Sequence, residues 1–325
     1  MNRQLIQGVV LALTLAANNL FAAEKLQVGF PALATALSPP WVTAGKGFWG
    51  KYGLDVDLIY LAGETTVQAL VGGSIQLAIG SDPDTTMAIM QGAKLVRLGV
   101  TTNSLGSSLV TQQGINSFQE LKGKTIGIAG RGLNSLELRL SQLLRENGID
   151  PKRDVKFLSI GGAPSARVAA IQKGVIIGAM ITPPYDLAAQ KQGLKIFSQI
   201  DVPLFAGGIN TTLAFEKNNR ETLVRFLKGY MEGIHYMVTH RSETLNVFSS
   251  YLRQLDAATL NRFYDEISGR VEKGLRPDPR SVRFMLDFVA LNYPQAKQLT
   301  EKDHWDLTLL DEIHQSGFLE QLYKK

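Results

Sequence analysis

The expected architecture follows from one stretch, Leu121-Lys122-Gly123-Lys124-Thr125-Ile126-Gly127-Ile128-Ala129-Gly130-Arg131-Gly132-Leu133-Asn134-Ser135. Residues 125–129 are short, β-prone and apolar, which predicts a parallel strand covered on both faces. Glycines on either side of Arg131 allow the backbone to approach a ligand closely. A helix is predicted from about 136 to 147, and Asn134 or Ser135 can cap it. The sequence of turn, strand, glycine loop and helix start predicts half of a binding cleft.

The same loop predicts recognition of an anion. Free N–H groups at a helix N-terminus favour negative charge. The guanidinium of Arg131 adds a planar fork suited to a carboxylate, sulfonate or phosphate. A surface arginine in a loop is the alternative interpretation. The ligand-binding candidates in this loop are Arg131, Gly132, Leu133, Asn134 and Ser135.

The N-terminus has the pattern of a secretory signal peptide, from Met1 to about Ala23. Arg3 supplies the charged region and residues 9–17 supply the apolar region, which is too short to span a bilayer comfortably. An uncleaved anchor is the alternative. The chain has no cysteine, so disulfides, thiolate catalysis and a lipidated N-terminal cysteine are excluded. We therefore expect a periplasmic protein.

Charge and length limit the remaining classes. The formal net charge is +5, and removal of Arg3 with the signal leaves +4. That excess is typical of a solvated surface, and export argues against nucleic acid as a partner. His235 and His240 have no carboxylates at ligand spacing, so we expect no metal and no cofactor. The mature length of about 300 residues suits two lobes.

Strands alternate with helices through both halves, which predicts doubly wound parallel sheets. A shift of 101 residues places Gly73 on Gly174 and Gly92 on Gly193. Two generic βαβ units with the same turn chemistry could produce this coincidence. The shift also makes Ser81-Asp82-Pro83 and Thr182-Pro183-Pro184 equivalent loops. Both follow strands, where open α/β sheets bind ligands.

The predicted domains are a signal peptide at 1–23, a discontinuous first lobe at 24–105 and 208–325, and a second lobe at 106–207. Residues 102–117 and 201–212 are rich in small and polar residues and are predicted to be the two hinge crossings. Helices predicted near 221–239, 242–253, 256–268, 280–291 and 304–315 should pack on the first lobe. The first of these has an apolar face formed by Leu223, Phe226, Leu227, Tyr230, Ile234 and Met237. A further helix is predicted from Pro39 to about Tyr52.

Further candidate ligand residues lie at the predicted strand ends. Ser81 and Thr182 are hydroxyl donors, whereas Asp82 precedes a proline and is interpreted mainly as a helix cap. Tyr185 could stack on an aromatic ligand. Arg167 is interpreted as a solvated helix residue. The other candidates, in the loop after the first strand and after a glycine pair, are Leu33, Thr35, Ser38 and Asn210.

Four motifs in order resemble one family. They are Lys46-Gly47-Phe48-Trp49 with Gly53-Leu54-Asp55-Val56, then Gln68-Ala69-Leu70-Val71-Gly72-Gly73-Ser74-Ile75-Gln76-Leu77-Ala78, then Leu121-Lys122-Gly123-Lys124-Thr125-Ile126-Gly127, then Lys173-Gly174 with Thr182-Pro183-Pro184. Together they resemble the solute-binding proteins of ABC importers in the nitrate, taurine and aliphatic-sulfonate group, which includes thiamine-pyrimidine-precursor members. The resemblance covers most of the chain to about residue 240. Gln76 and Ile177 depart from the aspartates common in the family, and we expect packing changes there.

The resemblance implies a type II periplasmic binding protein fold, with two doubly wound α/β lobes and ligand held between them. It implies a monomer without catalytic residues whose partners are a small organic solute and an importer permease. A ligand sensor for a membrane receptor kinase remains open. So does the nature of the solute, which could be a sulfonate, a carboxylate, an aromatic acid or a pyrimidine.

Two enzyme interpretations are disfavoured. Gly130-x-Gly132-x-x-Ser135 approaches the dinucleotide fingerprint but lacks its third small residue, and no acidic residue ends the following strand. Yeast relatives in the resembled family make the thiamine pyrimidine with a cysteine-rich motif and a histidine. This chain has no cysteine, and its four histidines, His235, His240, His304 and His314, all lie in the C-terminal region.

Overall fold

The computed structural model describes residues 23–61, 64–80, 82–128, 135–160, 164–290, 293–300 and 302–324. The predicted signal peptide lies outside these residues apart from Ala23. The strands are β1 (Glu24–Phe30), β2 (Leu54–Tyr60), β3 (Leu77–Ile79), β4 (Leu95–Gly99), β5 (Leu105–Thr111), β6 (Thr125–Ile128), β7 (Lys156–Ser159), β8 (Gly178–Ile181), β9 (Lys195–Val202) and β10 (Ile209–Thr212).

The helices alternate with these strands and then fill the C-terminal third. They are α1 (Pro39–Gly45), α2 (Thr65–Val71), α3 (Asp82–Met90), α4 (Ser135–Glu146), α5 (Pro164–Gln172), α6 (Tyr185–Lys191), α7 (Leu213–Asn218), α8 (Arg220–Thr239), α9 (Arg241–Tyr251), α10 (Ala257–Ser268), α11 (Pro279–Val289), α12 (Thr308–Gln315) and α13 (Phe318–Tyr323). None of the helices in the described ranges is both long and apolar enough to cross a membrane.

The strands form two sheets. The first sheet has the order β2-β1-β3-β10-β4 and the second has the order β7-β6-β8-β5-β9. Each sheet contains two parallel pairs, as predicted, and one antiparallel strand that was not predicted: β10 runs antiparallel to β3 and β4, and β5 runs antiparallel to β8 and β9. In the first sheet the antiparallel strand β10 comes from beyond the segment that forms the second sheet, whereas in the second sheet the antiparallel strand β5 is the first strand after the crossing. The chain therefore reaches each of these two strands by crossing from the other sheet and not by a βαβ connection.

The predicted repeat is confirmed in the backbone. Adding 101 to the residues of β3, α3 and β4 gives segments that fall on β8, α6 and β9. Gly73 and Gly174 have φ values of 75° and 72°, in the left-handed region that glycine adopts easily. Gly92 and Gly193 repeat this at 98° and 86°. The same turn chemistry therefore ends the helix before each third strand and the helix after it.

The segments that cross between the two sheets are shorter than predicted. Residues 102–117 contain the whole of β5, and residues 201–212 contain the end of β9 and all of β10. The two crossings touch near Thr102 and Ala206, where Thr102 N donates to Ala206 O at 3.0 Å and Ala206 N donates to Thr102 O at 2.9 Å. Glu272 N, beyond α10, donates to Thr101 O at 2.7 Å. The connection between the sheets is thus a short bundle of three extended segments.

The first-sheet core is largely as predicted. The predicted face of α8 is buried, comprising Leu223, Phe226, Leu227, Tyr230, Ile234 and Met237. The helix predicted from Pro39 to Tyr52 instead ends at Gly45, because Gly47 takes a φ of 69°. That break turns Trp49 into the core, where its Nε1 donates to Phe226 O at 3.0 Å.

The C-terminal helices do not all pack on the first sheet alone. Val282, Phe284 and Met285 of α11 belong to a cluster that includes Leu136 of α4 and Met87 of α3. Since α3 follows a strand of the first sheet and α4 follows a strand of the second, α11 contacts helices of both units. The predicted packing of this helix on the first lobe therefore accounts for only part of its contacts.

Candidate functional site

The ends of β1, β3 and β8 bring several predicted residues to the space between the sheets. Leu33 is 40 % exposed in the loop after β1, and its contact with a ligand remains a prediction. Thr35 is half-buried and lines a small cavity of about 10 Å³ with Gly106 of β5. Ser38 is fully buried and its hydroxyl donates to Thr35 O at 2.8 Å. Its hydroxyl therefore stabilises the loop, and the structure gives no support to ligand contact.

The central loop of the sequence prediction lies outside the described residues. This applies to Arg131, Gly132, Leu133 and Asn134, and also to Ser81. Ser135 begins α4, as predicted for the helix after the glycine loop. Contact between these residues and a ligand remains a prediction.

Asp82 is the first residue of α3 and is 5 % exposed. Its Oδ1 accepts a hydrogen bond from Gly208 N at 2.9 Å, so it ties the end of β3 to the segment before β10. Burial raises the pKa of Asp82 to about 6, although the nearby Arg97 guanidinium and the amides of Gly208 and Gly207 oppose that rise. Its carboxylate is therefore occupied in holding the strand end in place.

Arg97 of β4 completes this buried group. Its Nη2 donates to Asp82 O and to Thr86 Oγ1, both at 2.8 Å. Its guanidinium carbon lies 5.3 Å from the ring centre of Phe205 and 5.5 Å from that of Trp305. Burial lowers the pKa of Arg97 to about 10, which leaves it charged at neutral pH. These two bonds of Arg97 connect the first turn of α3 to β4.

Asn210 is also structural in its observed contacts. It is fully buried, and its Nδ2 donates to Gly208 O at 2.8 Å and to Gly80 O at 3.1 Å. These bonds hold the turn between β3 and α3 against β10. The prediction that Asn210 faces the cleft receives no support from this geometry.

The equivalent loop of the second sheet leaves a hydroxyl available. Thr182 is half-buried and its carbonyl accepts from Tyr185 N at 3.0 Å, which opens the turn into α6. Its hydroxyl makes no hydrogen bond to any residue that the structure describes. Tyr185 lines a groove between α5 and α6 rather than the space next to α10. Stacking of Tyr185 on a ligand therefore remains a prediction without a supporting contact.

Arg167 is buried, whereas the sequence predicted a solvated side chain. It is 3 % exposed, and its Nε donates to Met180 O at 3.2 Å, one residue before the end of β8. Burial lowers the pKa of Arg167, whereas Glu137 in the first turn of α4 opposes that effect. Glu137 is also buried. The two side chains connect the starts of α4 and α5 to the strand between them.

Helix α10 forms one wall of the cavities between the two units, which the sequence did not predict. Glu266 and Arg270 line three cavities between the units, of about 880, 260 and 10 Å³. The largest lies on the hinge side, among α4, α10, α11 and the crossings. The smaller two reach Pro183 and Thr35, which lie in the predicted strand-end loops. These two cavities are the ones nearest the predicted site, because one reaches a strand-end loop of the second sheet and the other reaches the loop after β1.

The arrangement is that of the periplasmic binding protein fold: two α/β units of equal strand order, linked by adjacent crossings. A solved periplasmic sulfonate-binding protein from Methylobacillus flagellatus, described as a putative sulfonate ABC transporter component, superposes with a TM-score of 0.72. It is 19 % identical, and the match covers 92 % of this chain and 96 % of that one. At that identity the likeness shows the fold.

Residues 35–244 match the NMT1/THI5-like family model, and the chain belongs to that family. A putative binding protein of Brucella abortus is 31 % identical over 145 residues, which are 43 % of this chain and 44 % of the relative. The 4-amino-5-hydroxymethyl-2-methylpyrimidine phosphate synthase of Schizosaccharomyces pombe is 26 % identical over 35 % of this chain and 33 % of the enzyme. The matches thus span less than half the length of these relatives.

Proposed function

We propose that this chain is the periplasmic solute-binding component of an ABC importer and not an enzyme. It captures a small organic anion, a sulfonate or a carboxylate, between two lobes and delivers it to a membrane permease. The observation that carries the proposal is the pair of sheets with identical strand order joined by adjacent crossings at Thr102 and Ala206. Two such units can rotate about a short link and enclose a ligand.

The lobes of this proposal are 24–105 with 208–325, and 106–207. Ligand shifts the population toward the closed form to the extent that it binds that form better. The closed surface is then recognised by the permease, and the protein acts as a monomer. The signal peptide at 1–23 directs it to the periplasm.

Arg131 is the proposed partner of the anionic group, with Ser81, Asn134, Ser135 and Thr182 donating hydrogen bonds. The basis for this assignment is the glycine loop before α4 and the anion preference of a helix N-terminus. Arg131→Ala should weaken anion binding by roughly tenfold or more, the loss of one charge-assisted hydrogen bond of about 1.5 kcal/mol. Unchanged affinity in a titration would remove Arg131 from the site.

A second candidate is binding of a thiamine-pyrimidine precursor, favoured by the local similarity to the fission-yeast synthase. Synthesis of the thiamine pyrimidine is disfavoured because the chain has no cysteine. Its four histidines lie far along the chain, with His235 in α8, His240 directly after α8, His304 before α12 and His314 in α12. A sensor role, in which the closed form contacts a receptor kinase, uses the same cleft.

The test is a thermal-shift screen of the purified mature protein with alkanesulfonates, taurine, nitrate, aromatic carboxylates and pyrimidine precursors. A ligand that binds only the native state raises the unfolding midpoint. A rise with one class of acid supports the proposal. A rise with the neutral pyrimidine alone replaces the anion by the second candidate, and no rise with any compound contradicts both.

A further inference from the structure

Positive charge is divided unevenly between the two units. Residues 106–207 contain 12 lysines and arginines against 7 aspartates and glutamates, whereas residues 24–105 and 208–325 together contain 21 against 22. The second unit therefore carries a formal charge of +5 and the first unit a formal charge of −1. An asymmetry of charge between halves that share one fold indicates a surface with a partner of its own.

The excess cations lie at one end of the second sheet. Strands β7 and β8 both run parallel to β6, so all three begin at the same end, where α4 and α5 finish. The segments before β6 and β7 lie side by side there, because Lys156 N donates to Lys124 O at 2.9 Å. Exposed cations occupy the helix ends, turns and strand starts of this end, and we call them the basic rim: Lys122, Lys124, Arg145, Lys152, Arg153, Lys156 and Lys173.

The acids at this end leave the basic rim largely uncompensated. Asp150 and Asp154 accept hydrogen bonds from backbone amides of their own turn. Glu120 does the same in the turn before β6, and Glu146 pairs with Arg139 at 2.9 Å. Of the seven cations, one makes an ion pair to a described residue, at a long 3.9 Å. The other six have no ionic partner within the part of the chain that the structure describes, so their charge faces solvent.

The repeat provides an internal comparison. Gly29 and Gly127 have the same place in the register with the third strand, which aligns the strands of the two units. In this alignment the positions of Lys122, Lys124, Lys156 and Lys173 are taken in the first unit by Glu24, Leu26, Asp57 and Gly72. Helix ends favour cations in any protein, but both units have the same helix ends and only the second has these lysines. Helix dipoles therefore do not explain the basic rim.

The residue types of the basic rim favour a lipid surface over a protein. Five of the seven are lysines, which are depleted at protein–protein interfaces and carry a point charge on a long flexible stem. Val175, two residues after Lys173, is 53 % exposed, and the first unit has Ser74 at the equivalent position. An aliphatic side chain among lysines fits the boundary between phosphate headgroups and acyl chains.

We propose that the basic rim binds the surface of a bilayer that contains anionic phospholipid and keeps the protein beside the membrane. This interaction goes beyond capture of a solute. It uses the end of the second sheet that is opposite to the strand-end loops, and it does not depend on which solute the protein binds.

The experiment measures how the purified mature protein partitions onto sedimented vesicles. One set of vesicles is phosphatidylcholine alone, and the other contains about 30 % phosphatidylglycerol, each at about 50 and 300 mM NaCl. We expect binding to the anionic vesicles only. The partition coefficient should fall tenfold or more at the higher salt concentration, because salt screens exposed charges.

The triple variant Lys124→Gln, Lys156→Gln and Lys173→Gln tests the basic rim directly. Each cation near an anionic bilayer strengthens binding by about fivefold, so the variant should lose roughly 30-fold or more in partition at low salt. Val175→Ser should lose about two- to threefold and keep the wild-type dependence on salt, because it removes an apolar contact and no charge.

The matched control is the triple variant Lys25→Gln, Lys94→Gln and Lys217→Gln. These are exposed lysines of the first unit without an ion pair to any described residue, and their replacement gives the same net charge. The control should lose threefold or less. Thermal melts of all variants verify folding.

Absence of binding to the anionic vesicles overturns the proposal, and so does an equal loss in the two triple variants. Binding to immobilised poly-L-glutamate without binding to vesicles would assign the basic rim to an acidic protein and reject the membrane. Solute binding in the thermal-shift screen should be the same in both triple variants and in wild type. Failure of the proposed solute-binding function would therefore leave the vesicle result unchanged.

Discussion

In the first sheet the side chain of Ile75 occupies the space that a side chain on Gly29 would need, and in the second sheet Ile176 does the same beside Gly127. Ile75 and Ile176 are 101 residues apart, and both begin the turn into the third strand of their sheet. In both places a glycine on the central parallel strand makes room for an isoleucine. The two units therefore solve the same packing problem with the same pair of residue types.

The units differ where their third strands end. In the first, the carboxylate of Asp82 bonds the backbone of Gly208 and is accompanied by the buried Arg97. In the second, Asp186 in the first turn of α6 bonds the hydroxyl of Ser108 on β5. Each aspartate ties the helix start to the antiparallel strand of its own sheet or to the residue just before that strand. The first unit uses a buried ionic group for this purpose, and the second uses a hydroxyl.

The two units therefore share the packing of their cores and differ at the ends of their third strands. Removal of the charged or hydroxyl partners should therefore affect the two units unequally, whereas changes at the glycine–isoleucine contacts should affect them equally.

The largest effect is expected for Arg97→Met. This change removes the cation nearest the buried Asp82 and the hydrogen bonds of Arg97 to Asp82 O and Thr86 Oγ1, and removing one of two buried charges that compensate each other costs about 3 to 5 kcal/mol. We expect a loss of about 4 kcal/mol in the free energy of unfolding at pH 7.5, measured by urea denaturation. Ser198→Ala, at the equivalent position of the second sheet, is the control and should change stability by less than about 0.5 kcal/mol. Similar losses in both variants would contradict the difference between the units.

The next effect concerns pH. The pKa of Asp82 is about 6 in the folded chain and 3.8 without the protein environment, so the folded state binds more protons between those values. The contribution of Asp82 to the free energy of unfolding should therefore be greatest below about pH 4, and it should be lost as the pH rises through 6. The change is on the order of 3 kcal/mol at about 1.4 kcal/mol per pKa unit.

Asp82→Asn keeps an acceptor for Gly208 N and cannot ionise. The difference in unfolding free energy between wild type and this variant should follow the pH range just given. Asp186→Asn provides the comparison in the second unit. A wild-type-minus-Asp82→Asn difference that does not vary from pH 4 to 7 would show that Asp82 titrates as an ordinary surface acid.

Smaller and equal effects are expected for Gly29→Ala and Gly127→Ala. Each added methyl clashes with an isoleucine Cδ1, and overpacking of this kind costs about 1 to 3 kcal/mol. Ile75→Val and Ile176→Val remove those Cδ1 atoms and should recover part of the loss in the matching double variants. A rescue in one sheet and not in the other would show that the repeat stops at the backbone.

The smallest effect is expected for Ser108→Ala, which removes one hydrogen bond to the buried carboxylate of Asp186. A loss of about 1.5 to 3 kcal/mol is the usual range for a hydrogen bond to a charged group. We expect a smaller loss here, of about 1 kcal/mol, because Leu187 N still donates to Asp186 at 2.8 Å. Denaturation curves should show an unchanged slope with a shifted midpoint.

Sequence predicted the alternation of elements, the repeat and the buried face of α8, because hydrophobic period and left-handed glycines are local signals. It did not predict β5, since Leu-Gly-Ser-Ser-Leu-Val-Thr reads as a linker until a partner strand covers it. Whether a strand pairs in parallel or antiparallel manner depends on which distant segment arrives beside it.

The candidate site was harder to predict. Glu266 and Arg270 look like an ordinary i,i+4 pair on an amphipathic helix, and only the packing of α10 against the crossings brings them to the cleft. Ser38 and Asn210 were predicted from their place in the chain, whereas their side chains turn to nearby carbonyls. The direction of a short polar side chain depends on which backbone acceptors the tertiary fold leaves nearby.

The position of β10 also has a consequence for the order in which the molecule assembles. All five strands of the second sheet lie between residues 105 and 202, so that sheet closes with contacts from one continuous segment. The first sheet needs β10 between β3 and β4, and therefore stays divided until residues 209–212 are present. In a chain that folds from its N-terminus, the first unit starts to form first. The second unit is nevertheless completed before the first. Because contacts between distant residues form slowly, the insertion of β10 is expected to limit the rate of folding.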